Sequence, residues 1–218
     1  TPFYDELSEG RSLIHTGLGY CYTRPRRQDN LLAPGMVYRP VEFDARPEIH
    51  RGDQLIDTGE MNCQQYQVLD AELAWVRGPL SLQSELVWTN LDMLDGPGKD
   101  LYGAYAFVSY FLTGEHRPYD RQGAKFDRVT PYENFWMVRT PEGVRRGWGA
   151  WEIAARWSYL DFSDVNSQQL HDFTLGCNWY WNPHARMMFN WIHPFAHNSP
   201  VASAVNSHWI DAARIHIR

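Results

Sequence analysis

The chain is short of lysine. Of its twenty basic residues only Lys99 and Lys125 are lysines; the rest are Arg. Acidic residues outnumber basic ones, the net charge is −6, and no basic stripe appears, so a nucleic-acid partner is excluded. Long apolar runs are also missing. Mean hydropathy is −0.51, and no run approaches the roughly 18 residues that a membrane helix needs. That excludes a transmembrane helix but not a transmembrane barrel, because half of each barrel strand is polar. Cys21, Cys63 and Cys177 match no metal motif, and their odd number makes no disulfide framework. The nine His do not repeat at ligand spacing, so neither a metal nor a cofactor is expected. No G-x-S-x-G, phosphate loop or dinucleotide fingerprint is present, and Glu115 has no second carboxylate or nucleophile beside it. The chain does not read as an enzyme.

Aromatic residues and alternation are plentiful. Aromatics make up 15% of the chain, with ten Trp and twelve Tyr. Such rings favour membrane interfaces, and they also favour strands in general. The clearest alternation lies in 147–194. Trp151, Ile153, Ala155, Trp157 and Tyr159 share one parity, against Glu152, Ala154, Arg156 and Ser158. Phe173, Leu175, Cys177 and Trp179 then oppose Asp172, Thr174, Gly176 and Asn178. After the Asn182-Pro183 turn, Ala185, Met187, Phe189 and Trp191 oppose Arg186, Met188 and Asn190. Successive strand side chains point to opposite faces, so each strand has one apolar and one polar face.

Further strands are expected over 12–23, 37–50, 64–77, 80–91, 101–112 and 206–218, nine in all. The strand at 37–50 is weakened by Pro40 and Pro47. The strand at 101–112 is apolar on both parities, so its outward face stays open. Asp211 falls on the apolar parity of the last strand, in conflict with a lipid-facing side. Residues 113–146 form the longest irregular segment, and connections of that length are usually functional or lids.

The apolar faces could meet in a soluble sandwich or barrel core, or face lipid around a transmembrane barrel. The polar faces carry charge: Glu72, Glu85, Glu152 and Asp172, with Arg46, Arg156, Arg186, Arg214 and Arg218. A small soluble barrel fills its interior with apolar side chains, whereas a charged inner wall suits a water-filled lumen. Arg beside carboxylate across neighbouring strands also makes ion pairs that stiffen a wall. Arg156 is expected to pair with Glu152 or Asp172.

Four stretches go beyond pattern: RPEIHRGDQLIDTGE at 46–60, YFLTGEHRPYDRQGAKFDRVTP at 110–131, GAWEIAARWSYLDFSD at 149–164 and FTLGCNWYWNPHARMMFNWIH at 173–193. Together they resemble the phosphate-selective porin O and P family of Gram-negative outer membranes, in the order of that family's C-terminal half. The resemblance implies an all-β transmembrane antiparallel barrel of sixteen strands, of which this chain supplies the last nine or so. It also implies outer-membrane lipid around the wall, a homotrimer, and small anions or solutes, such as phosphate, in transit. Family members carry an arginine ladder and a lysine cluster. Arg46, Arg156, Arg186, Arg214 and Arg218 are the candidate rungs here, and a lysine cluster is not visible. The acidic Glu72, Glu85, Glu152 and Asp172 share the lumen and weigh against phosphate selectivity. A structural barrel that anchors a cell-surface partner is the alternative reading.

Overall fold

The computed structural model describes residues 1–29, 37–46, 54–141 and 143–199, and the backbone of 210–217. Eight long strands form one antiparallel meander: β1 (Ser12–Thr23), β2 (Met61–Arg77), β3 (Leu80–Met93), β4 (Lys99–Phe111), β5 (Ala150–Phe162), β6 (Gln168–Asn182), β7 (Ala185–His197) and β8 (Ile210–Ile217). Each pairs with its neighbours in the chain, and the short strand Phe3–Tyr4 adds to the free edge of β1. Among the described residues the sheet does not close on itself. No described helix is long and apolar enough to cross a membrane.

Of the nine expected strands, eight are found among the described residues. The described part of 37–50 is not a wall strand. It makes only two-residue pairings: Val37–Tyr38 with Gln28–Asp29, Pro40–Val41 with the start of β2, and Asp44–Ala45 with Ile56–Asp57. Pro40 offers no ladder donor, which suits a short edge pairing better than a central strand. β1 pairs directly with β2 from Ser12↔Arg77 to Thr23↔Tyr66, so 24–60 is one long connection. The remainder of that expected strand, 47–50, lies outside the described residues, as does the start of the last one.

Along the wall strands burial departs from that of a soluble protein. Leu18, Tyr20, Leu73, Leu86, Val108, Ile153, Trp157, Leu175 and Phe189 are exposed, while Ser81, Ser109, Glu152, Asp172 and Thr174 are buried. Soluble monomers rarely expose an apolar patch beyond a few hundred Å². An apolar band spread over successive strands is what lipid contact requires, since barrel strands alternate apolar-out and polar-in. The open question at 101–112 is settled the same way. Tyr102, Val108, Tyr110 and Leu112 are exposed, and Leu101, Ser109 and Phe111 face inward and are buried. Asp211 lies opposite Trp191 in the β7–β8 register, and its side chain is outside the described residues.

Inward apolar residues at both ends of the wall seat folded-in connections. At one end Leu55 and Ile56, with Val41, Phe43 and Ala45 nearby, pack on Leu91, Leu101, Phe162 and Leu170. At the other end Tyr119 packs with Leu13 and Val76, and Val129 with Phe111, Ala150 and Tyr180. That second end also carries the two-residue turns Gly78-Pro79 and Pro183-His184. Short turns mark the periplasmic side of such barrels.

Candidate functional site

The inner face is laid out in rows, because directly opposed residues on antiparallel strands share a face. One row runs Gly17, Glu72, Glu85, Tyr105, Ser158, Asp172 and Pro194. Three of the four expected acidic residues therefore lie in a single strip, with Glu72 directly opposite Glu85. Gly17 makes room for this: a Cβ there would stand 2.2 Å from Oε1 of Glu72. The next row runs His15, Ala74, Gln83, Phe107, Arg156 and Thr174. Arg156 lies one step from the acidic strip, with its guanidinium 4.8 Å from the centre of the Tyr105 ring.

Glu152 belongs to a different neighbourhood. Its side chain is fully buried, Oε1 accepts from Arg117 at 2.5 Å, and Oε2 accepts from Asn178 at 2.8 Å and Tyr180 at 2.9 Å. Of the two carboxylates expected as partners of Arg156, Glu152 and Asp172, Glu152 is thus paired with Arg117 instead. Arg117 also donates to Ser109 Oγ and lies over the Phe107 ring at 5.2 Å. A buried carboxylate needs several donors at once, and a guanidinium with two further polar groups supplies them.

Arg117 belongs to the 113–149 connection, which dips into the concave side and then leaves it. Tyr119 hydroxyl meets His15 Nδ1 at 2.7 Å, and His15 Nε2 meets Glu72 at 3.0 Å. Glu115 is buried and structural: it accepts from Tyr132 N–H at 3.1 Å and from the Thr113 hydroxyl. His116 Nε2 faces the Glu9 carbonyl at 3.3 Å, and burial pushes the imidazole pKa down.

Two cavities open on the concave face, one at the acidic strip and one at the end that carries the short turns. One, of about 640 Å³, is bounded by Arg46, Asp44, Glu85, Tyr105, Arg156 and Asp172. Arg46 reaches it from the 24–60 connection, not from a wall strand, and its Nε lies 4.0 Å from Asp44. The other, of about 360 Å³, is bounded by Arg117, Lys125, Arg128, His184 and Arg186, with Asp127 the one acidic neighbour. Arg128 Nη1 is 3.1 Å from His184 Nδ1, and Arg186 lies 5.8 Å from the Tyr180 ring centre. Lys125 also borders a third cavity, beside His15 and Glu72.

Of the five expected arginines, then, Arg46 and Arg156 meet at one cavity and Arg186 at another. The backbone register puts Arg214 opposite Met188 and so in the row of Glu152 and Asn178, and Arg218 lies outside the described residues. Arg117, Lys125 and Arg128 are not among the expected site residues, because the irregular segment 113–146 has no strand alternation by which to assign its side chains to a face. The signal was there: Tyr119, Phe126 and Val129 interleave with the charges of that segment, as befits a piece that packs.

An outward apolar band, a charged concave face and folded-in connections on an antiparallel meander are the features of a transmembrane β-barrel wall. The chain matches the family described as Phosphate-selective porin O and P over residues 3–218, and it belongs to that family. Its place is the outer membrane of a Gram-negative bacterium, and the family is one of channels rather than enzymes. The chain is 29% identical to Porin O of Pseudomonas aeruginosa over 197 residues, which cover 81% of this chain and 42% of that protein. It is 31% identical over 125 residues to an uncharacterized protein of Caulobacter vibrioides, covering 57% of this chain and 23% of that one. The chain thus spans less than half the length of these relatives.

Proposed function

We propose that residues 1–218 form the C-terminal portion of a single sixteen-stranded porin barrel that assembles as a homotrimer in outer-membrane lipid. The barrel passes small anions, phosphate among them, by diffusion. The observation that carries this reading is the convergence of Arg117, Lys125, Arg128 and Arg186 on one cavity of the concave face, next to a lipid-facing apolar band. Charged walls set ion selectivity by raising the local concentration of the opposite sign. Guanidinium groups suit phosphate because their paired donors match its oxygens. Arg46 and Arg156 extend the anion path toward the other mouth, and the arginine ladder of the family makes Arg214 and Arg218 further candidate rungs. The strip of Glu72, Glu85 and Asp172 opposes anion passage, so selectivity is set by which strip lies at the narrowest section.

The test is reversal potential across planar bilayers containing the full-length protein, under a chloride and then a phosphate gradient. Arg156→Glu with Arg186→Glu shifts the potential toward cation selectivity, and Glu72→Gln with Glu85→Gln shifts it toward anions. An unchanged potential in both pairs, or no conductance from folded trimers, overturns the reading.

A further inference from the structure

The hairpin at the periplasmic end of the wall has a use that the channel does not absorb. Its strands Trp136–Thr140 and Gly143–Gly147 form a sheet of their own, apart from the wall. Its base is fixed to the outside of the barrel. Phe135 N–H donates to the Trp181 carbonyl at 2.7 Å, and its ring packs edge-on against Trp179 at 4.5 Å. Trp179 Nε1 donates to the Trp148 carbonyl at 2.7 Å, and Trp179 stacks on Trp151 at 4.8 Å. These rings continue the apolar outer face to its rim, where barrels carry an aromatic girdle at the level of the headgroups.

Beyond that girdle the hairpin exposes both apolar and basic side chains. Trp136 is 52% exposed, Met137 70% and Val144 61%. Arg139, Arg145 and Arg146 are exposed as well. Met137 lies opposite Arg146, Val138 opposite Arg145 and Arg139 opposite Val144, so the three central cross-strand pairs each join one apolar and one cationic side chain. Arg146 lies 5.1 Å from the Trp136 ring centre. Trp136 has a φ of 80°, a left-handed conformation that bulky residues rarely adopt.

We propose that this hairpin is a lipid anchor, which inserts Trp136, Met137 and Val144 into the periplasmic leaflet and holds anionic phospholipid headgroups with Arg139, Arg145 and Arg146. Three points select this occupant: the hairpin continues a lipid-facing wall, its charge complements phosphate, and the two-residue turns put it on the periplasmic side, where the leaflet is phospholipid. Basic residues beside a membrane each add to the attraction of anionic lipid, and long cationic side chains lay their stems on apolar surface while their heads stay wet. The anchor holds whether or not the pore conducts.

Delipidated full-length protein in neutral detergent is titrated with phosphatidylglycerol, phosphatidylcholine or lipopolysaccharide, and unfolding is followed by Trp fluorescence. Phosphatidylglycerol raises the midpoint by several degrees, and the other two do not. The triple variant Arg139→Gln, Arg145→Gln, Arg146→Gln unfolds at the native midpoint without lipid and needs roughly a hundredfold more phosphatidylglycerol for the same rise. Native mass spectrometry of the unaltered protein detects retained phosphatidylglycerol, independently of how any variant folds. An equal response to phosphatidylglycerol and phosphatidylcholine, stabilisation by lipopolysaccharide alone, or a triple variant that responds like the native protein overturns the proposal. So does loss of oligomer from the triple variant without lipid, which assigns the hairpin to a protein contact.

Discussion

Arg117 and Glu152 meet at 2.5 Å, one from a connection and the other from the wall, and the carboxylate has no exposed surface. Breaking such a pair from one side strands a buried charge, at a cost of about 3–5 kcal/mol. Arg117→Met is therefore expected to destabilise strongly, while Arg117→Met with Glu152→Gln recovers most of the loss. Chemical unfolding of the folded protein in detergent measures both. If the single and double variants unfold alike, Glu152 does not depend on Arg117.

The two faces of β4 are expected to respond in opposite ways to charge. Ala106 is exposed at the middle of the strand on the outward parity. Ala106→Arg costs about 2–4 kcal/mol if it faces the bilayer midplane. Gln83→Arg, on the inner face of β3, costs little and moves reversal potential instead. Equilibrium folding into phospholipid vesicles reads the first effect. A harmless Arg at 106 contradicts the lipid-facing band.

Gly149 begins the return from the connection to β5 with a φ of 68°, and a Cβ there would sit 2.2 Å from the Tyr180 carbonyl oxygen. Backbone cannot move aside as a side chain can. Gly149→Ala is expected to cost at least about 1–3 kcal/mol and to lower the thermal midpoint of the folded barrel. An unchanged midpoint shows that the chain enters β5 along a different path.

His116 is expected to make the docked connection sensitive to acid. Burial lowers its pKa in the folded state, so the neutral imidazole is favoured. The stability it contributes is complete above the unfolded value near 6.5 and is lost as pH falls through that value toward the lower folded one. Hydrogen exchange across 113–120 should therefore accelerate from pH 7 to pH 5 relative to the wall strands. His116→Gln should flatten that dependence, and a native-like pH profile in the variant removes His116 from the explanation.

Much of this was legible in residue order. Parity put Trp157, Leu175 and Phe189 on apolar faces, and the fold shows that those faces are the exposed ones. Parity also put Glu72, Glu85 and Asp172 on polar faces, and register gathers them into one strip. The 101–112 segment stayed ambiguous because Leu101, Phe107 and Phe111 are apolar for a reason that alternation does not encode. Leu101 and Phe111 seat the folded-in connections, and Phe107 lies beneath Arg117. The 37–50 segment imitated a strand because its side chains alternate, while in its described part Phe43 and Ala45 pack against the wall from a connection.

Residue order alone determined the strand period, the turn positions and the sign of each face, since those depend on neighbours one or two residues apart. Tertiary structure decided which charges meet. Arg117 reaches Glu152 from 35 residues upstream, and Arg46 shares a cavity with Arg156 from 110 residues upstream. Those encounters depend on how long connections fold back, guided by a few apolar anchors that no local period records.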